Sequence, residues 1–129
     1  MTRLTEAECL ELLAQTAVGR VAVSIDALPA IRTVRFGLIP GHVVFSVAAS
    51  SQLRRAASNA VVAFQADHVD ETARRGWCVV VQGLSEVITS EEDLAQVRSL
   101  PITPWRPGPN DDIPIKISLS RVSGEKVSW

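Results

Sequence analysis

Hydrophobic and polar residues alternate along two neighbouring segments in the first half of the chain. Residues 31–38 place Val34 and Phe36 on one face and smaller or polar side chains on the other. This two-residue period is typical of a strand with one buried side. The pair at 40–41 is Pro-Gly, and residues 43–48 then alternate again. The pattern predicts a β-hairpin.

The same alternation predicts further strands along the rest of the chain. The segments concerned are 20–25, 60–66, 76–88, 113–119 and, after a turn at Ser123-Gly124, 126–129. Residues 77–81 are apolar on both faces of their strand, so both faces need cover. A second subunit would provide it most simply, and a flanking helix of the same chain is the alternative.

Polar residues at helix starts predict three short helices between these strands. Thr5 and Glu8 have the spacing of a capping box. Ser50 is placed to cap a second helix, and Ser90 precedes three acidic residues that suit a third. The Pro-rich segment 103–109 excludes regular structure, and its Trp105 suggests a loop packed over something. Six to seven mostly antiparallel strands with short helices predict a small β-barrel.

Composition limits the classes of function. The 129 residues are 47% hydrophobic, which predicts one domain, residues 1–129, with its own core. A net charge of −1 without a basic stripe gives no case for nucleic acid. Two widely separated cysteines fit a reducing, cytoplasmic compartment better than a disulfide framework. No apolar run is long enough for a membrane span, so no membrane partner is expected.

Few residues suggest chemistry by themselves. Ser50 and Ser51, followed by Arg54 and Arg55, form a candidate site for a phosphate at a helix start. The alternative is a simple helix cap with two solvated arginines. His68 stands among acids, but no second histidine or paired cysteine follows at ligand spacing, so a solvated loop is favoured over a metal site. No nucleophile accompanies either histidine, so hydrolase chemistry is not indicated.

Four segments, in order and spacing, resemble the pyridoxamine 5'-phosphate oxidase-like flavin-binding split-barrel family. They read LTEAECLELLAQTAVGRVAVSIDALPAIRTVRF, HVVFSVAASSQL, GWCVVVQGLSEVIT and PWRPGPNDDIPIKISLSRVSGEKV. The resemblance implies a mainly β fold, a split barrel with short flanking helices, that forms a homodimer with FMN at the interface. Some members of the family bind a deazaflavin instead, and some bind no flavin.

The resemblance also implies which residues contact the cofactor. Two strands would flank the flavin ring, a helix start would meet the phosphate, and the Pro-rich loop would close over the ring. The implied residues are Thr33, Val34, Arg35, Phe36, Phe45, Ser46 and Val47 on the strands, Ser50, Ser51, Gln52 and Leu53 at the phosphate, Trp77 and Cys78 from the partner chain, and Trp105 in the loop.

Three of these positions depart from the family's usual pattern. Thr33 and Arg35 stand where similar sequences have Pro and Asn, and Gln52 stands where they have lysine. Losing the lysine removes a positive charge from the phosphate site, where a charge-assisted hydrogen bond is about twice as strong as a neutral one. Arg35, Arg54 and Arg55 are the cations available to compensate.

The resemblance favours an FMN-dependent oxidoreductase that acts on an unidentified small molecule. The flavin would carry the hydride chemistry, so no catalytic acid or base and no metal is required of the chain. A second hypothesis is a non-catalytic module that binds a flavin, a deazaflavin or another planar ligand. A third is a cofactor-free structural dimer.

Overall fold

The computed structural model describes residues 1–106, 108 and 112–129. Of the Pro-rich segment, Pro107 and Pro109 lie outside the described residues. Eight strands and three helices follow one another as β1 (Thr2–Arg3), α1 (Glu6–Ala14), β2 (Val18–Ile25), β3 (Leu28–Ile39), β4 (His42–Ala48), α2 (Gln52–Ala56), β5 (Ala60–Asp70), β6 (Arg75–Val87), α3 (Glu91–Val97), β7 (Asp112–Ser118) and β8 (Arg121–Ser128). The predicted mainly β fold is confirmed, with one more strand than the six to seven expected.

Six of the strands close into an antiparallel barrel. Their order is β6, β5, β2, β3, β4 and β7, and β7 pairs back with β6. The long strand β6 changes partner along its length, because residues 75–82 pair with β8 and residues 85–87 pair with β7. The two-residue strand β1 extends the sheet beyond β8. The predicted split barrel is therefore confirmed.

The change of partner along β6 depends on Gly83. This glycine lies between Gln82, the last residue paired with β8, and Ser85, the first paired with β7. A Cβ at position 83 would lie 2.9 Å from the carbonyl carbon of Ser118 and would clash with its oxygen. Glycine therefore permits the close backbone approach that closes the barrel.

Two hydrophobic clusters stabilise the fold. The larger fills the barrel, and its fully buried members include Phe45, Phe64 and Ile115. Phe36 and Phe64 pack edge to face there, with ring centroids 4.7 Å apart. The smaller cluster packs α3 against the outside of the barrel, where Val44 is fully buried. Strand β4 is therefore covered on both faces.

The predicted helix starts are confirmed at Thr5 and Ser90 and wrong at Ser50. Thr5 and Glu8 form both bonds of the capping box, and Ser90 Oγ accepts a hydrogen bond from the Asp93 amide. The cap of α2 is Ser51, whose Oγ accepts from the Arg54 amide at 3.1 Å. Within the described residues, no helix is both long and apolar enough to span a bilayer.

Two expected irregular segments are strands instead. β5 continues through His68 to Asp70 because it pairs with β6 along its whole length, so the predicted loop after residue 66 is wrong. The predicted turn at Ser123-Gly124 is also wrong, since both residues lie within β8. Position 124 requires glycine because a Cβ atom there would lie only 2.7 Å from Sγ of Cys9 in α1.

Candidate functional site

A groove of about 560 Å³ lies beside the barrel, between the middle of β3, the end of β4, the start of α2 and the loop that contains Trp105. Three separate parts of the chain meet there. Eight of the residues implied by the family resemblance line this groove, namely Thr33, Val34, Ser46, Val47, Ser51, Gln52, Leu53 and Trp105.

The start of α2 gives the groove a fixed polar end. The Ser51 amide donates to the carbonyl oxygen of Ala48 at 3.0 Å, which ties the helix start to the end of β4. The Ser51 hydroxyl is held at the same time by the Arg54 amide. Leu53 is buried in the barrel core and packs α2 against the barrel. The amide of Gln52 lies in the first turn of the helix, where no helical carbonyl is available to accept from it.

The loop with Trp105 is held by Arg35. The guanidinium carbon of Arg35 lies 4.9 Å from the centroid of the Trp105 ring. Nη1 of Arg35 also donates a hydrogen bond to the carbonyl oxygen of Pro104 at 3.4 Å. Pro104 is buried, whereas Trp105 stays 47% exposed over the groove. Arg35 does not line the groove itself, but it contacts two residues that do, Pro104 and Trp105.

The groove is positively charged through residues that the sequence did not single out. Arg32 and Arg106 line it, and its described lining contains no aspartate or glutamate. Arg54 and Arg55, the expected cations, lie outside this lining, and Arg55 Nη1 instead donates to the Ser50 carbonyl oxygen at 3.4 Å. Arg106 directly follows Trp105 in the sequence. This adjacency to an expected site residue was the one sequence feature that pointed to Arg106.

Three other implied residues lie outside the groove lining. Phe36 and Phe45 are 2% and 0% exposed, and their side chains point into the barrel core. Ser50 precedes the cap of α2 and is exposed. Any contact of the two phenylalanines with a ligand in the groove would therefore have to be through the backbone.

Trp77 and Cys78 lie on β6, away from the groove of their own chain. Trp77 lines a separate cavity, and Cys78 Sγ accepts a hydrogen bond from Gln65 Nε2 at 3.1 Å. A contact with the cofactor would have to come from the second subunit, and that contact stays a prediction.

The described residues offer no acid-base pair in the groove. Groups whose pKa departs from its ordinary value lie elsewhere, such as the Cys9 thiol, whose pKa is raised by burial, and the Asp93 carboxyl, whose pKa is lowered by a hydrogen bond from Lys116. No group of histidine, cysteine and acidic residues that could hold a metal occurs in the described ranges. The described lining of the groove offers the hydroxyl groups of Thr33, Ser46 and Ser51, the indole of Trp105 and two guanidinium groups.

The family model described as pyridoxamine 5'-phosphate oxidase matches residues 5–127. The chain belongs to this family. The resemblance stated from the sequence is confirmed, and the eight-stranded sheet is the split barrel of flavin-binding members.

Similar proteins are known from mycobacteria. The uncharacterized protein Rv0080 of Mycobacterium tuberculosis is 36% identical over 110 residues, which cover 81% of this chain and 72% of that protein. The FAD binding protein from Mycobacterium smegmatis is 28% identical, with a TM-score of 0.86 over 98% of this chain and 99% of that one. The FAD and heme binding protein from the same organism shares the fold, with a TM-score of 0.79 at 16% identity over 99% of this chain and 74% of that one.

Proposed function

We propose that this chain is an FMN-dependent oxidoreductase that holds the flavin in the groove beside β3 and β4. The observation that carries the proposal is the convergence of Thr33, Ser51 and Trp105 around one cavity. These residues come from a strand, a helix start and a loop that are distant in sequence. The substrate is a small molecule that reaches the flavin from the open side of the groove.

The groove suits a flat ring at one end and a phosphate at the other. The Thr33 and Ser46 hydroxyls can hydrogen-bond to polar edges of the ring, and the Trp105 indole offers a flat surface for stacking. Ser51 lies at the polar end, and Arg32 supplies a positive charge in place of the missing lysine. When bound, the flavin supplies the hydride transfer, while these residues bind it, orient it and exclude water.

Heme is less well suited to this groove, although structural neighbours such as the FAD and heme binding protein from M. smegmatis bind it. Heme iron in proteins is held by axial ligands such as histidine, cysteine, methionine or tyrosine. None of these residue types is present in the described lining of the groove.

FAD is the second candidate cofactor. The M. smegmatis protein with 28% identity and a TM-score of 0.86 binds FAD. FAD carries a second phosphate, and the groove lining offers a second arginine, Arg106, beside Arg32. Titrations with FMN, FAD and riboflavin, followed by quenching of flavin fluorescence, distinguish these ligands. Riboflavin lacks any phosphate and should bind more weakly than FMN.

The substitution Ser51→Asp tests the position of the phosphate. Aspartate also caps helices well, so α2 should persist while a negative charge enters the groove. We expect the Kd of FMN to rise at least about tenfold, equivalent to about 1.4 kcal/mol, and that of riboflavin to change little. Ser99→Asp, an exposed position after α3, is the matched control. Equal FMN affinity in Ser51→Asp and wild type would show that the phosphate binds elsewhere.

Reduction of the bound flavin separates the oxidoreductase from a non-catalytic binding module. A nicotinamide cofactor added without oxygen should bleach the flavin absorption, and a test oxidant should restore it. Bound flavin that NADH and NADPH both leave oxidised would favour the binding module. A protein that binds neither flavin nor deazaflavin would favour the cofactor-free dimer.

A homodimer is part of the proposal because the outer face of the barrel carries an apolar patch. Val61 and Leu84 are directly opposite each other on β5 and β6 and are 80% and 42% exposed. Ile31, which is 69% exposed, pairs with Ala22, and Ala22 also pairs with Ala63 on the other side. Patches of this kind are usually covered by a partner.

Val61→Glu tests this interface without disturbing the barrel core. The side chain is 80% exposed in one chain, so a charge there is costly only when a second copy covers it. Sedimentation should show a dimer for wild type and a folded monomer for Val61→Glu. Gln96→Glu, on the exposed face of α3, should remain a dimer. A monomeric wild type would contradict the proposed assembly.

A further inference from the structure

Four strands align a row of side chains on one face of the sheet, beyond the closed part of the barrel. His68 on β5 is opposite Trp77 on β6, and Trp77 is opposite Lys126 on β8. Lys126 is in turn opposite Thr2 on β1. The pairing register therefore places an indole between an imidazole and an ammonium group.

A second row lies two residues further along the same strands. Asp70, Arg75 and Ser128 are paired across β5, β6 and β8. Because side chains two residues apart share one face of a strand, both rows face the same side. Arg75 thus lies beside Trp77 on that face.

The two rows line a cavity of about 510 Å³. This volume falls within the range of about 300–1,000 Å³ that is usual for small-molecule sites. Leu12 of α1 forms a further part of the wall. Trp77 is half-buried and packs against the barrel core, which holds its indole ring in place. None of the described residues lines both this cavity and the groove beside β3 and β4.

Positive charge dominates this cavity. Arg75 and Lys126 line it, and Asp70 is its one described acid. The Asp70 carboxylate already accepts a hydrogen bond from the Ala73 amide at 2.9 Å, which closes the turn between β5 and β6. Among the described residues, neither Arg75 nor Lys126 takes part in an ion pair.

Glu8 on the neighbouring helix α1 is an acid close enough to Lys126 for its pKa to respond to the lysine's charge. Its pKa is lowered first by hydrogen bonds within the capping box and then by the charge of Lys126. The Thr5 amide holds the Glu8 carboxylate at 2.9 Å, and Glu8 does not line the cavity. The positive charge of Lys126 therefore remains available to a ligand in the cavity.

We propose that this cavity binds a small planar organic anion, such as an aromatic carboxylate. The aromatic ring stacks on the Trp77 indole, and the carboxylate is bound by Arg75 and Lys126. Within one chain, none of the described residues of this cavity lines the flavin groove. The expected contact of Trp77 with the flavin of the partner subunit is the competing use of the same surface, and competition with FMN decides between them.

The probe for this site is 2-naphthoate, and its neutral control is 2-naphthamide. In two-dimensional 15N NMR spectra of the wild-type protein, 2-naphthoate should shift the Trp77 indole N–H and the Lys126 amide with one saturable binding constant. The carboxylate can form two partly exposed ion pairs and the amide can form none, so 2-naphthamide should bind about tenfold more weakly than 2-naphthoate.

Paired substitutions test the two cations. Arg75 and Lys126 are exposed in the free protein, so Arg75→Gln/Lys126→Gln should fold normally, as checked by circular dichroism. We expect about tenfold weaker binding of 2-naphthoate when both charges are removed. Arg121→Gln removes a charge from the far end of β8, outside the cavity, and should leave the affinity unchanged.

Three results would overturn the proposal. One is the absence of shifts at Trp77 at millimolar 2-naphthoate, and another is equal affinity for 2-naphthoate and 2-naphthamide. The third is displacement of 2-naphthoate by FMN, which would mean that the cavity belongs to the flavin site. The naphthamide comparison uses the wild-type protein, so it decides the question even if the double variant fails to fold.

Discussion

Replacing Gly83 by alanine tests how the barrel closes. The added Cβ would clash with the backbone of Ser118 where β6 passes from β8 to β7. Overpacking of this kind costs about 1–3 kcal/mol, and the upper value of about 3 kcal/mol applies here because a backbone carbonyl cannot rotate away as a side chain can. Alanine in place of a strand glycine returns about 0.5–1 kcal/mol. The net loss of unfolding free energy should therefore be about 2 kcal/mol.

Urea unfolding at equal protein concentration measures this loss. With a slope of about 2 kcal/mol/M, the midpoint of Gly83→Ala should fall by about 1 M. Gly37→Ala is the matched control, because its Cβ would lie 3.1 Å from Leu100 Cδ1, the end of a flexible side chain. That variant should stay within about 0.5 kcal/mol of wild type. If both variants have the same midpoint, the described close approach at Gly83 is wrong.

Three further predictions concern the core and two titrating groups. Phe64→Ala should reduce the unfolding free energy by about 3–5 kcal/mol, because Phe64 is fully buried; a urea titration giving less than about 1 kcal/mol would contradict its central position. A hydrogen bond from Lys116 lowers the pKa of the Asp93 carboxyl below its ordinary value of 3.8. The ionised carboxylate therefore stabilises the fold at pH values above 3.8, and this stabilisation is lost as the pH falls through the lower pKa of the folded protein. The difference in thermal midpoint between wild type and Asp93→Asn should therefore shrink below about pH 4, and a constant difference would refute the pairing. In the Cys78→Ser variant, Cys9 is the one remaining thiol; it is fully buried and its pKa is raised. It should therefore react with a disulfide reagent only as fast as the protein unfolds. Rapid reaction of the folded protein would disprove this burial.

The strands could be predicted because each one has a buried face. The alternation around Val34 and Phe36 arises from the barrel core itself, where both side chains are at most 2% exposed. The sequence of a strand contains no comparable pattern that shows which other strand it pairs with. β6 has the same apolar residues whether β7 or β8 lies beside it, so the split in its pairing could not be predicted from periodicity.

Local chemistry explains the errors at Ser50 and Gly124. Serine caps a helix equally well at position 50 and at position 51. Ser51 is the cap in the structure, and its amide donates a hydrogen bond to the carbonyl oxygen of Ala48. A Ser-Gly pair usually indicates a turn. Gly124 lies within a strand because Cys9, more than a hundred residues earlier, occupies the space of a side chain.

The candidate site was predicted in part. The family resemblance located Thr33, Ser46 and Ser51, which the structure brings together. Arg32 and Arg106 were missed because their proximity depends on how the loop after α3 returns to β3. The cavity around Trp77 was missed for the same reason, since Trp77 and Lys126 become neighbours only through the pairing of β6 with β8.

A crystal structure of the protein grown with FMN tests the central claim most directly. The account predicts the flavin ring between β3 and the Trp105 loop, with the phosphate beside Ser51 at the start of α2. A flavin bound outside this groove, or a groove that stays without flavin at saturating FMN, would contradict it.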